Sequence, residues 1–202
     1  KIYSLNTHPL FDYQENISFS ISSFLKSSKR RTMVQMPSGS GKTKTTISAI
    51  IDNILEKNNK YKKILWLSHT SELCEQSLDS FKLNWRTFGS GLMLCYRFYG
   101  SHLINKYEYK NGVIFASLQK LYSLHKTPNE FYKIISTNCD LIIFDEAHKA
   151  LAPTYKELID YIMQSSNGCK IIGLTATPGR TSKDDFNIEN KKLTSIFNNN
   201  LI

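Results

Sequence analysis

With 202 residues and 41% hydrophobic content, the chain is long enough for one α/β domain with a large core, or at a stretch two small ones. Twenty-six Lys and Arg against 17 Asp and Glu leave a formal charge of +9, which suits a polyanionic partner. No apolar run approaches a membrane span, the N-terminus lacks a signal-peptide core, and the cysteines (Cys74, Cys95, Cys139, Cys169) are too dispersed for a zinc knuckle or redox pair.

In chain order, Ile17, Ile21, Phe24 and Leu25 share one helical face. The basic run Lys26–Arg31 reads as solvated surface, and Thr32–Met36 as a short strand. A second helix is expected over 44–55, with Ile47, Ile50, Ile51, Ile54 and Leu55 inward. Lys57–Lys63 is again solvated surface, followed by a strand at Ile64–Leu67 and a helix whose core face is Leu73, Cys74, Leu78 and Phe81. The stretch from Phe88 to Tyr109, rich in Tyr, Phe and Gly, is expected to hold one more strand and a surface excursion. Val113–Ala116, Leu141–Phe144 and Ile171–Leu174 read as strands, and Tyr155, Leu158, Ile159 and Ile162 as a helix face.

Such short, unalternating apolar runs fit strands covered on both faces. Their repetition with helices predicts an α/β fold: a doubly wound, mostly parallel sheet in a three-layer sandwich. The cysteines have mostly apolar neighbours and read as small buried hydrophobes in a reducing, cytoplasmic setting. After Arg180 the chain turns polar, so residues 1–180 are expected to be the domain and 181–202 an exit linker with a short helix around Leu193–Phe197. The first residue is Lys1, so a longer parent protein is expected.

Two motifs carry most of the chemistry. Residues 36–43 read Met-Pro-Ser-Gly-Ser-Gly-Lys-Thr between a strand and a helix. Gly39 and Gly41 allow backbone conformations that turn successive N–H groups of Ser38–Gly41 toward an anion, and the following helix N-terminus adds its dipole. Lys42 supplies a charge for the β- and γ-phosphates, and the Thr43 hydroxyl can ligate Mg²⁺. Met36 stands where Gly or Ala is usual, a position that mainly packs the strand end.

The second motif, Asp145-Glu146-Ala147-His148, follows a buried strand. Asp145, at a strand's carboxyl end, can hold Mg²⁺ through the metal's waters. Glu146 is placed to orient and deprotonate the water that attacks a γ-phosphate, a role that a kinase or simple switch does not need. His148 is expected to bridge this site to Thr175 or Thr177 on the neighbouring strand end.

These two segments, with Leu174-Thr-Ala-Thr-Pro178, closely resemble motifs I, II and III of superfamily 2 helicases. Leu67–Gln76 and Ala116–Leu121 look like motif Ia and the next nucleic-acid-contacting motif, in the versions found in the DEAD/DEAH-box group with type I and type III restriction-enzyme motors. Tyr13-Gln14 is similar to that group's adenine-reading pair. The resemblance implies a P-loop, RecA-like motor domain that uses ATP and Mg²⁺. It implies that Gln14 bonds the adenine edge, with Phe11 or Tyr13 packed nearby. It also implies that Ser68, His69, Thr70, Ser117 and Gln119 touch a strand's phosphate backbone, and that Thr175 and Thr177 couple nucleotide state to grip.

The expected function is therefore the ATP-binding motor domain of a helicase or translocase, with DNA favoured over RNA. A second RecA-like domain would supply arginine fingers, so the isolated chain is expected to hydrolyse ATP very slowly. Restriction–modification, with a nuclease or methylase partner, is one biological setting. The alternative is an ATP-switched nucleic-acid sensing or remodelling module that does not unwind.

Overall fold

In the computed structural model, the described residues are 10–55, 61–127, 130–176 and 191–202. Six strands make one sheet: β1 (Arg31–Gln35), β2 (Lys63–Ser68), β3 (Cys95–Phe98), β4 (Gly112–Ser117), β5 (Leu141–Asp145) and β6 (Lys170–Thr175). Every pairing is parallel and the order is β1-β6-β5-β2-β4-β3. β4, β5 and β6 are buried along their whole length, which is why their sequences lack polar alternation.

Side chains alternate between two cores. Ile64, Trp66, Leu141 and Ile143 join one cluster with α1 (Asp12–Lys26), α2 (Lys42–Leu55) and α3 (Ser71–Phe88). Leu65, Leu67, Ile142 and Phe144 join the other with α4 (Leu118–His125), α5 (Glu130–Thr137) and α6 (Pro153–Ser165). A three-layer sandwich results. Among the described residues, no helix is long and apolar enough to cross a membrane.

The predicted strand in the Phe88–Tyr109 stretch is β3, at one edge of the sheet. Two helices have no counterpart in the periodicity reading: α4 and α5 are eight residues each, about two turns, too short for a repeating apolar face to declare itself. Three cysteines are buried as expected, and Cys95 is partly buried.

The last segment departs from the expectation of a linker leaving the domain. Leu193 and Phe197, on and beside a short helix over 191–196, are fully buried in the second core. Residues 200–202 then run beside β1: Met33 N–H donates to the Asn200 carbonyl (2.9 Å), Ile202 N–H to Met33 (2.8 Å) and Gln35 N–H to Ile202 (3.0 Å). Polar composition concealed this return because three apolar side chains, Leu193, Ile196 and Phe197, suffice to anchor it. Gly173 of β6 accommodates the anchor, since a β-carbon there would overlap the Phe197 ring.

Candidate active site

All parallel strands end on one side of the sheet, so the described parts of the predicted motifs that follow β1, β2, β4, β5 and β6 meet there. β1 leads into the Gly-rich turn and β5 into the acidic pair, with β6 between them. In register, Gln35 pairs with Thr175, and Asp145 with Leu174. Thr175, fully buried, therefore lies between the two motifs, and its carbonyl accepts from Met36 N–H at 3.1 Å. Met36 is buried too, consistent with a packing role at the strand end.

The turn is held by its own atoms. The Pro37 carbonyl accepts from the Ser40 amide (3.2 Å) and hydroxyl (2.6 Å), leaving Ser38 and Gly39 exposed. Gly39 and Gly41 adopt φ of +76° and +85°, which L residues rarely reach. Lys42 and Thr43 form the first turn of α2, which contains no acidic side chain. Its orphan amides and dipole favour an anion in front of them.

Gln14 reaches this turn from α1. Its Oε1 accepts from Phe11 N–H at 3.0 Å, capping the helix, and its Nε2 donates to the Ser40 carbonyl at 2.7 Å. The Tyr13 hydroxyl donates to the same carbonyl at 3.1 Å. A β-carbon on Gly41 would stand 2.5 Å from Gln14 Nε2, so the glycine answers to close approach as well as to φ. Phe11 stacks on Tyr13, ring centroids 6.0 Å apart and nearly parallel, and both rings are exposed.

Asp145 is buried, and its carboxyl is pushed up to about 6 by desolvation and by the neighbouring Glu146, with Lys42 pulling the other way. Its Oδ1 accepts from Glu146 N–H at 3.0 Å. Glu146 sits at φ 56°, ψ 54°, a left-handed conformation that costs about 1–2 kcal/mol outside glycine. That bend lets two consecutive carboxylates leave the strand end in different directions. Glu146 Oε2 then lies 3.1 Å from His148 Nδ1. His148 thus stands beside Glu146 at the strand end; Thr177 lies outside the described residues.

The chemistry of the donor set fits a hydrated Mg²⁺. Thr43 offers one hydroxyl and Asp145 one carboxylate, and among the described residues no cluster of three or more His, Cys, Asp or Glu could cage a metal. Mg²⁺ needs no such cage, because it keeps most of its waters and binds through one or two carboxylates plus phosphate.

The strand-contact residues lie at the neighbouring strand ends, Ser68 and Ser117 being directly paired in register. Their exposure differs. Ser68 is fully buried beside Cys74, and Ser117 is nearly so. Thr70 caps α3, accepting from Leu73 N–H at 3.3 Å. His69 packs edge-on against Tyr155, 6.4 Å between centroids, and Gln119 is exposed. The surface at this end is thus made by His69, Thr70 and Gln119. Tyr155 also packs against the second core, as its helical face predicts, whereas sequence reasoning missed Lys120, whose ammonium donates to the Gly100 carbonyl (2.9 Å) and to that of His102. It ties the β3–β4 loop to α4, and nothing in the local sequence announces it.

Comparison with known proteins matches this arrangement. The chain is 30% identical over 173 residues to a 51.5 kDa protein of a Lactococcus phage (isolate 7-9), covering 83% of this chain and 30% of that protein. It is 26% identical over 182 residues to the putative ATP-dependent helicase IRC3 of Saccharomyces cerevisiae, covering 86% and 24%. The chain therefore spans less than a third of the length of these relatives. The crystal structure of the Pyrococcus furiosus Hef helicase domain superposes with a TM-score of 0.67 at 22% identity, over 92% of this chain and 35% of that one. The model for type III restriction enzyme, res subunit, matches residues 7–180, and the chain belongs to that family as a helicase-type RecA-like domain.

Proposed function

We propose that this chain is the ATP-binding motor domain of a nucleic-acid helicase or translocase. The observation that carries the proposal is the convergence, at one end of the sheet and on either side of β6, of the glycine turn with Lys42 and the Asp145–Glu146 pair. Residues 38–43 would wrap the triphosphate with main-chain amides, and Lys42 would neutralise its outer phosphates. Thr43 and Asp145 would hold Mg²⁺, which when bound supplies charge neutralisation between the phosphates. Glu146 would take the proton of the attacking water, with His148 fixing its carboxylate orientation at 3.1 Å.

Thr175, buried between the two motifs, is placed to feel changes at both, and Thr177 would extend that coupling. His69, Thr70 and Gln119 would meet the phosphate backbone of a strand, DNA before RNA, giving binding that falls with salt and ignores sequence. Ser68 and Ser117 would join them only if the buried strand ends open. A second RecA-like domain would complete the site with arginine side chains, so hydrolysis by this domain alone is expected to be slow. A restriction role with a nuclease or methylase partner, in the cytoplasm, is the setting that the family suggests.

A triplex- or strand-displacement assay on the full-length parent protein tests the motor. ATP-dependent displacement, lost in Glu146→Gln, is expected. ATP-dependent binding changes without displacement would replace the motor with a switch.

A further inference from the structure

On the face formed by α4, α5 and α6, an open groove of about 620 Å³ is lined by His125, Lys126, Tyr132, Lys133 and Tyr161, none of which belongs to the nucleotide site. Its wall is aromatic. Tyr132 and Tyr161 lie nearly parallel, centroids 5.7 Å apart, and the His125 ring sets its edge against both at 5.4 and 5.1 Å. His125 is fixed by the Tyr132 hydroxyl at Nδ1 (2.8 Å) and faces Glu157 at 3.3 Å from Nε2. Tyr161, 40% exposed, turns ring surface to solvent.

The charges in and around the groove are unequal. Glu157 is held by both its oxygens to Lys126 (2.8 and 2.9 Å), and Glu130 is paired with Lys106. Lys133, exposed on α5, has no acidic partner among the described residues, so the balance is cationic. A chain of aromatic contacts links the groove to the strand-end residues. Rings run from His69 to Tyr155 (6.4 Å), Tyr122 (6.5 Å) and His125 (6.0 Å). Along α4, the six residue steps from Gln119 to His125 span about 9 Å, the reach of about three stacked nucleotides.

We propose that this groove is a second contact for single-stranded nucleic acid, taking the stretch that flanks the segment over the strand ends. The inference rests on the nucleic-acid reading of those ends. A base stacks on the exposed face of Tyr161 and a phosphate pairs with Lys133, a combination that tolerates any base because each has a π-face.

The test is an anisotropy titration of the 202-residue chain with labelled oligothymidylates of about six and about twenty nucleotides, at low and moderate salt. Tyr161→Ala is expected to weaken the longer probe about tenfold and leave the shorter unchanged. Lys133→Glu should weaken it similarly and make its salt dependence shallower by about one ion. Arg86→Glu, on α3 at the opposite face, should leave both probes unaffected. Photocrosslinking of an iodouracil-bearing longer probe to the unsubstituted chain should label the peptide containing Tyr161, a readout independent of variant folding. If neither groove substitution affects the longer probe and no crosslink reaches α5 or α6, while Gln119→Ala weakens both probes, the groove proposal alone fails. If the unsubstituted chain binds neither probe, the nucleic-acid reading fails with it.

Discussion

The side-chain amide of Gln14 and the main-chain carbonyl of Ser40 are joined at 2.7 Å, so a residue of the first helix holds the phosphate turn from outside it. Gln14 also caps its own helix through Phe11 N–H. Gln14→Ala removes both bonds and should lower stability by about 1–2 kcal/mol. ATP affinity should fall about tenfold, since the turn loses its brace and the base its expected reader. Calorimetric titration beside a thermal melt separates the two effects. Unchanged affinity with a lowered melting temperature would reduce Gln14 to a helix cap.

Asp145 makes the site sensitive to pH. A carboxyl whose folded value is about 6 rather than the usual value near 4 binds its proton more tightly in the folded state. The stability from that preference is full below about pH 4 and lost as pH rises through about 6, leaving Asp145 a net cost at neutral pH. Asp145→Asn should therefore stabilise the nucleotide-free chain at pH 7, by up to about 2–3 kcal/mol, and flatten its pH profile. With Asp145 in its proposed role as a metal ligand, metal-dependent nucleotide binding should run the other way, weakening below pH 6 as the carboxylate is protonated. Urea titrations at pH 5 and pH 8 would refute this if Asn and Asp variants differed equally at both.

Gly173 and Phe197 make the β6 core a lock for the C-terminal segment. Gly173→Ala places a methyl inside the Phe197 ring and close to the Ala147 β-carbon, and should cost about 1–3 kcal/mol through overpacking. Adding Phe197→Leu should restore part of the loss, a coupling that a double-mutant cycle in urea measures directly. Additive losses would show that the two positions act independently.

Lys170 plays a comparable part at the opposite end of the sheet. Its buried ammonium donates to the carbonyls of Phe24 (2.9 Å), Ser27 (2.5 Å) and Lys29 (2.7 Å), closing the C-terminus of α1. Lys170→Met keeps the stem but strands these acceptors, and should destabilise by about 2–4 kcal/mol. Amide exchange should quicken first in the last turn of α1. Uniform acceleration across the chain would place the loss elsewhere.

How much of this was legible depended on whether the physics was local. The turn at 36–43 and the acids at 145–146 are read from neighbours in sequence, because strand, turn and helix are consecutive there. The alternation of two cores across β2 and β5 follows from continuous apolar runs. What escaped was set by distant partners. The return of residues 191–202 depends on a hole left by Gly173. The burial of Ser68 depends on α3 packing over it, and Lys120 binds carbonyls about twenty residues away. Glu146 in a left-handed bend has no sequence mark at all, since glutamate is not a residue that prefers it.

The most direct measurement is ATP binding and turnover in the parent protein with Lys42→Ala and Glu146→Gln side by side. The account predicts that Lys42→Ala loses nucleotide binding, while Glu146→Gln keeps it and loses phosphate release. Undiminished binding and turnover in both variants would contradict it.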